Sequence, residues 1–273
     1  MMKQILFCNK KIFYQAEGSG TPVMLVHGFA EDHDIWKFQF KKMAQKFFVM
    51  APDLPGSGKS EILEGDISLD DYAEVIKDIL EKEIGSGKSV IMIGHSMGGY
   101  ITLAFAERYP QMLDGFGLFH STAYPDDDAK KEARRKGIEF IKNKGAALFI
   151  QSTSSNLFSE KTKEKKPYLI EELIEKYEGF PAESLIQYYT AMMRRPDRTH
   201  VLRSFTKPVL FLIGKGDNLI PLNTALLQSS MPSVSFVTIL QNAGHMGMWE
   251  AKQKSLDALQ EFLLSFNNST TLN

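Results

Sequence analysis

The sequence predicts an α/β domain built on a mostly parallel sheet and interrupted once by helices. Three observations carry that prediction. Apolar runs at Pro22–Val26, Phe47–Ala51, Ser89–Ile93, Gly115–Phe119 and Pro208–Ile213 each have the length of one strand. Runs that are apolar throughout suit strands covered on both faces, as in a parallel sheet between helices. Helical periodicity falls between them, most clearly over Ser68–Ile84, where Leu69, Tyr72, Ala73, Ile76, Ile79 and Leu80 share one side. From Ser121 to Arg203 the alternation lapses into charge-rich, helical sequence without a strand signal. The expected organisation is a core of residues 1–120 and 204–273 and a helical insertion, or lid, of residues 121–203.

Ile5–Cys8 and Ile12–Gln15 read as a hairpin turning at Asn9-Lys10, with Cys8 as a small apolar strand residue. Ser68 can cap the long helix, and Asp70 and Asp71 suit its positive end. Gly85 to Gly87 stops it. A helix should follow the third apolar strand as far as Tyr109-Pro110, another should begin near Pro221, and a strand should span Ser235–Ile239. The last helix should run from Met248 to Phe266 and leave a frayed polar tail, Asn267 to Asn273.

Composition narrows the function. The 273 residues are 43% hydrophobic and 24% charged, with a formal net charge of -1. That is ordinary for a globular core and supplies no field to recruit nucleic acid or an acidic membrane. One cysteine allows no internal disulfide and no thiolate metal cluster. No run approaches the ~18 apolar residues of a membrane span, and the first residues lack a signal-peptide core. The expectation is a cytoplasmic protein, monomer or homodimer, with no nucleic-acid or membrane partner.

The chemistry concentrates in Gly94-His95-Ser96-Met97-Gly98, a G-x-S-x-G pattern between a strand and a helix. A strand turning straight into a helix strains its corner residue. Glycines two positions either side avoid clashes, and the serine hydroxyl stands above the sheet. The Met97 amide then lies at a helix N-terminus, where anions are favoured. A serine needs a base, and His245 follows the last strand candidate. Asp217 follows the strand before it and can hold the imidazole tautomer; the chain order Ser, Asp, His fits this pattern. The Phe29 amide, after His27-Gly28, can pair with that of Met97 as an oxyanion hole.

With these segments the chain resembles the α/β-hydrolase fold family, in its lidded esterase, meta-cleavage-product hydrolase and haloperoxidase-like group. The carriers are His27-Gly28-Phe29, Asp53 to Ser60, Gly94 to Gly99, Gly214 to Asp217 and Gly244-His245. The resemblance implies an eight-stranded, mostly parallel sheet, a lid after the sixth strand and no cofactor. Similar dehalogenases and epoxide hydrolases carry an aspartate where Ser96 stands. The expected activity is hydrolysis of a small to medium apolar acyl ester through an acyl-enzyme on Ser96. Carbon–carbon bond hydrolysis of a dienoic diketone and non-catalytic ligand binding are the rivals. Phe29 and the lid residues Phe140, Phe149, Tyr188 and Met192 are the expected substrate wall.

Other features carry less. Gly-Ser-Gly-Lys-Ser at Gly56–Ser60 and Gly85–Ser89 lacks the first glycine of a phosphate-binding loop, which Asp53 and Lys82 replace. His27 should buttress the oxyanion loop and His33 should be solvated; with Asp34 they lack metal-ligand spacing. The basic run Lys130, Lys131, Arg134, Arg135 and Lys136 after Asp126 to Asp128 suits one solvated helix dipole. Arg194 and Arg195 read as surface pairs, with a substrate carboxylate as the alternative partner.

Overall fold

A computed structural model describes residues 2–267. Its eight strands form one sheet in the order β1-β2-β4-β3-β5-β6-β7-β8. They are β1 (Met2–Phe7), β2 (Lys10–Glu17), β3 (Pro22–Val26), β4 (Phe48–Pro52), β5 (Val90–His95), β6 (Leu113–Phe119), β7 (Val209–Gly214) and β8 (Ser235–Leu240). β1 and β2 pair antiparallel, as do β2 and β4; the remaining neighbours are parallel. β5 and β7 are buried at every position, as the apolar runs require, whereas the edge strand β8 alternates with exposed residues. The β1–β2 hairpin turns one residue earlier than the sequence suggests, at Cys8 and Asn9, whose φ angles are 47° and 61°. Two successive positive φ angles match the twist of a two-residue hairpin. Cys8 is therefore an exposed turn residue and not a strand residue.

The core helices are α1 (Lys37–Met43), α2 (Leu69–Ile84), α3 (Met97–Arg108), α10 (Leu222–Ser229), α11 (Gly247–Glu250) and α12 (Lys252–Asn267). Ser68 and Asp71 form a reciprocal capping box at the start of α2, worth about 1 kcal/mol. α1 has no counterpart in the sequence reading, because its seven residues are too short to establish a period. The expected last helix divides at Ala251 into α11 and α12. The tail residues 268–273 lie outside the described part of the chain.

Between β6 and β7, helices alone occur among the described residues: α4 (Asp128–Lys144), α5 (Ala146–Thr153), α6 (Glu160–Lys165), α7 (Tyr168–Tyr177), α8 (Ala182–Arg194) and α9 (Thr199–Ser204), with a 3-10 turn at Ser154–Leu157. No described helix is long and apolar enough to cross a membrane.

The sheet order places the site. β3 lies between β4 and β5, so the chain leaves β3 to one side and returns on the other. Such a reversal opens a crevice at the carboxyl ends of the strands. Val26 at the end of β3 is level with Gly94 near the end of β5. The loop after β3 and the turn after β5 are therefore side by side.

α3 packs tightly against this pair. A side chain at Gly98 would strike the carbonyl oxygens of Val26 and His27, and one at Gly94 would strike the Gly98 carbonyl. Rigid backbone on both sides leaves nothing to give way. Gly98→Ala should cost about 3 kcal/mol or more, read as a lowered midpoint in thermal or denaturant unfolding. Gly65→Ala is the control, since nothing lies near that position and its penalty comes from backbone conformation alone.

Candidate active site

Ser96 occupies the corner between β5 and α3 with φ 50° and ψ −115°. That region is strained for a residue with a Cβ. The corner is held from both sides. The Ser96 amide donates to the Phe119 carbonyl at 3.0 Å, and the Ser121 hydroxyl donates to the Ser96 carbonyl at 2.7 Å. The Ser96 side chain lines a cavity of about 290 Å³. Met97 itself is fully buried and outside that wall. Its amide is the first of α3, a position without a partner inside the helix.

His245 lines the same cavity from the loop after β8. Its Nδ1 lies 2.9 Å from Asp217 Oδ2. Asp217 Oδ1 accepts the amides of Leu219 at 2.8 Å and Ile220 at 3.0 Å. Burial works to raise the Asp217 pKa. The His245 imidazole opposes it by charge and hydrogen bond, helped by His120 and the Ile220 amide, and holds the carboxyl at about 2. The carboxylate is thus ionised and able to fix His245 with its proton on Nδ1. His245 Nε2 is buried and makes no hydrogen bond to the protein, Ser96 included. Serine–imidazole hydrogen bonds are often open without substrate.

The His245 loop is clamped. The His245 amide donates to the Leu157 carbonyl at 2.7 Å. Glu250 Oε1 accepts the amides of Gly244 at 2.7 Å and Met246 at 3.3 Å. Its Oε2 accepts the Ser159 amide at 2.9 Å and hydroxyl at 2.7 Å. One buried carboxylate therefore ties the imidazole loop to the base of the helical insertion. His120 is buried beside Asp217, with its ring between the amides of Gly214 and Gly247 at 3.0 and 3.2 Å. Burial pushes its pKa far down, so this ring is neutral.

The loop after β3 carries Phe29, which lines the cavity and stacks on Tyr189 at 4.3 Å with planes 7° apart. His27 is buried, its Nδ1 donating to the Gly28 carbonyl at 2.8 Å and its Nε2 accepting the Leu54 amide at 2.9 Å. It braces this loop against the segment after β4. The Asp53–Ser60 segment lies beneath it, with Ser57 Oγ 2.8 Å from His27 Nε2.

Several expectations about side chains need correction. Phe149 and Met192 line the cavity, but Phe140 and Tyr188 do not. Phe140 is 39% exposed and meets Phe149 only from outside. Tyr188 is fully buried and donates to the Pro55 carbonyl at 2.8 Å, pinning α8 to the core. Successive residues on a helix point about 100° apart. Tyr189 therefore faces the cavity when Tyr188 faces the core. His33 is only partly exposed and is not free in solvent: its Nδ1 lies 2.6 Å from buried Asp53. Arg195 is not a surface pair either, being buried over the Tyr100 ring and 2.9 Å from Asp126. Arg194 is exposed and pairs with Asp66. Arg134 leaves the solvated face of α4 to bind Asp126 at 2.6 Å and line the cavity.

Glu31, His95, His120 and Glu250 escape a sequence reading, whereas Tyr189 stands among the lid aromatics from which a substrate wall is expected. Glu31 and His95 did carry a signal, standing three residues after Gly28 and next to Ser96. Among the described residues no group of histidine, cysteine and carboxylate side chains is arranged to hold a metal.

Comparison with known proteins bears on the fold. A family model described as the alpha/beta hydrolase fold matches residues 21–252. A thermophilic esterase from Thermogutta terrifontis superposes with a TM-score of 0.90 at 28% identity, covering 97% of this chain and 98% of that one. The 2-hydroxy-6-oxononadienedioate/2-hydroxy-6-oxononatrienedioate hydrolase of Burkholderia vietnamiensis is 26% identical over 93% of this chain and 91% of its own. An uncharacterized protein of Mycobacterium tuberculosis is 36% identical over 101 residues, 37% of this chain. The match spans only 29% of that longer protein. The reversal of strand order at β3, the glycine-packed corner and the family match together make this chain a member of the α/β-hydrolase fold family.

Proposed function

We propose that the protein is a serine hydrolase that cleaves small to medium carboxylic esters with a mostly apolar acyl group. The observation that carries this reading is the opening of Ser96 and the Asp217-bound His245 onto one cavity walled by Phe29, Phe149, Ile150, Leu173 and Met192. The likeness to an esterase over nearly the whole of both chains supports it. Ser96 Oγ attacks the ester carbonyl carbon as His245 Nε2 takes its proton, and Asp217 stabilises the resulting imidazolium. The amides of Phe29 and Met97 receive the oxyanion. His245 then protonates the departing alcohol. A water, deprotonated by the same imidazole, hydrolyses the acyl-enzyme. Residues 121–203 act as a lid that encloses the acyl group.

A second reading is carbon–carbon bond hydrolysis, favoured by Lys130 and Arg134 in the cavity wall, where cations suit a substrate carboxylate. The dioate hydrolase likeness supports it. Turnover of short p-nitrophenyl esters beside a ring-cleavage diketone separates the two readings. A fluorophosphonate should label the native protein at Ser96 and leave Ser96→Ala unlabelled. A folded native protein that resists labelling counts against both readings.

Asp217→Asn should lower kcat by about 10⁴-fold with little change in KM, because the amide misorients the imidazole proton. The pH dependence of stability has a definite sign. The Asp217 pKa is depressed from 3.8 to about 2. Its stabilisation is complete above the ordinary carboxyl range and lost as pH falls towards about 2. Acid unfolding of Asp217→Asn should lack that component when monitored by circular dichroism.

A further inference from the structure

Next to the proposed triad lies a second buried acid–imidazole pair that takes no part in the steps above. Glu31 and His95 are 4% and 1% exposed. His95 Nδ1 lies 3.0 Å from Glu31 Oε2, and the same oxygen accepts the Gly28 amide at 2.6 Å. His95 Nε2 lies 2.9 Å from the His245 carbonyl oxygen. The imidazole thus bridges the oxyanion loop and the loop of the proposed base, from the residue immediately before Ser96.

Both ring nitrogens of His95 face acceptors, a carboxylate and a peptide carbonyl. A neutral imidazole has one N–H and would turn a lone pair towards one of them. We propose that Glu31 and His95 form a carboxylate–imidazolium pair that positions the oxyanion loop and the His245 backbone against Ser96. The Gly28 amide on the same carboxylate oxygen favours its ionised form. Glu31 and His95 are positioning residues: they act through Gly28 and His245. The kinetic part of this inference rests on the serine-hydrolase reading.

The surroundings are consistent. Burial disfavours the cation on His95, but Glu31 outweighs it by charge and hydrogen bond, with further help from the His245 carbonyl and Asp217, and raises its pKa. Burial likewise disfavours the anion on Glu31, but His95 and the Gly28 amide hold its pKa low. The remaining rings facing His95 are His245 at 5.0 Å, His120 at 6.1 Å, Trp36 at 6.2 Å and Phe119 at 6.0 Å. His120 is neutral, and the indole and phenyl rings carry no charge. Because the His95 pKa is raised, its cation is present below that value and the bridge fails as pH climbs through it.

Replacing Glu31 by glutamine removes the counter-charge while keeping the shape. The ring of His95 then loses a proton, and one of its two links, or the one to Gly28, must break. The test has two arms. In the unaltered protein, nitrogen-15 NMR of ring-labelled histidine, with His95→Gln used only for assignment, should find both His95 nitrogens protonated above neutral pH. A neutral tautomer there overturns the inference without need of any variant. In folded Glu31→Gln, kcat for the ester should fall by about 10- to 100-fold with KM nearly unchanged, and the alkaline limb of the kcat profile should move to lower pH. Wild-type kcat and an unmoved limb overturn it. A doubly protonated His95 in a protein that hydrolyses no ester supports the pair and sinks the ester-hydrolase reading instead.

Discussion

The site depends on one packing constraint, the closeness of α3 to the carboxyl ends of β3 and β5. Backbone lies against backbone there, with the Gly98 position pressed on the Val26 and His27 carbonyls. That closeness forces the chain through a positive φ at Ser96. It also sets the first amide of α3 beside the loop that carries Phe29. A Ser96 side chain held at the cavity wall and a first helical amide with no partner inside α3 follow from the same contact. The strain is held by the Phe119 and Ser121 hydrogen bonds rather than by the turn itself.

Around this corner, three buried carboxylates do similar work on three loops. Glu31 takes the Gly28 amide, Asp217 takes the amides after it, and Glu250 takes those flanking His245. A buried anion is costly unless hydrogen-bonded and paired. Each of these is satisfied by backbone N–H groups, and Glu31 and Asp217 by an imidazole as well. The cost of burial is offset by fixing irregular backbone that neither sheet nor helix could hold. Loops can then present side chains with the rigidity of regular structure.

The helical insertion divides its residues between anchoring and lining. Tyr188 anchors while Tyr189 stacks on Phe29. Asp126 gathers Arg134 and Arg195 into a buried cluster. Burial pushes the Asp126 pKa up, but the two guanidinium groups hold it down. Leu157 and Ser159 join the insertion to the loop of His245. The base of the insertion is therefore continuous with the loop that carries His245.

The sequence by itself determined the strand–helix alternation, the corner at Ser96 and the order of Ser96, Asp217 and His245. These are local matters: apolar runs, glycine spacing and polar residues just past strand ends each leave a mark within about ten residues. α1 was too short to leave one. Tertiary structure alone decided which buried polar groups meet. Glu31 reaches His95, Glu250 reaches Ser159, and His33 reaches Asp53 across separations that no periodicity encodes. It also decided which aromatic residues face the cavity, since Tyr188 and Tyr189 are equivalent in composition and differ only in the rotation of α8. Periodicity reports that a face is buried. What it is buried against is set by the packing of distant segments.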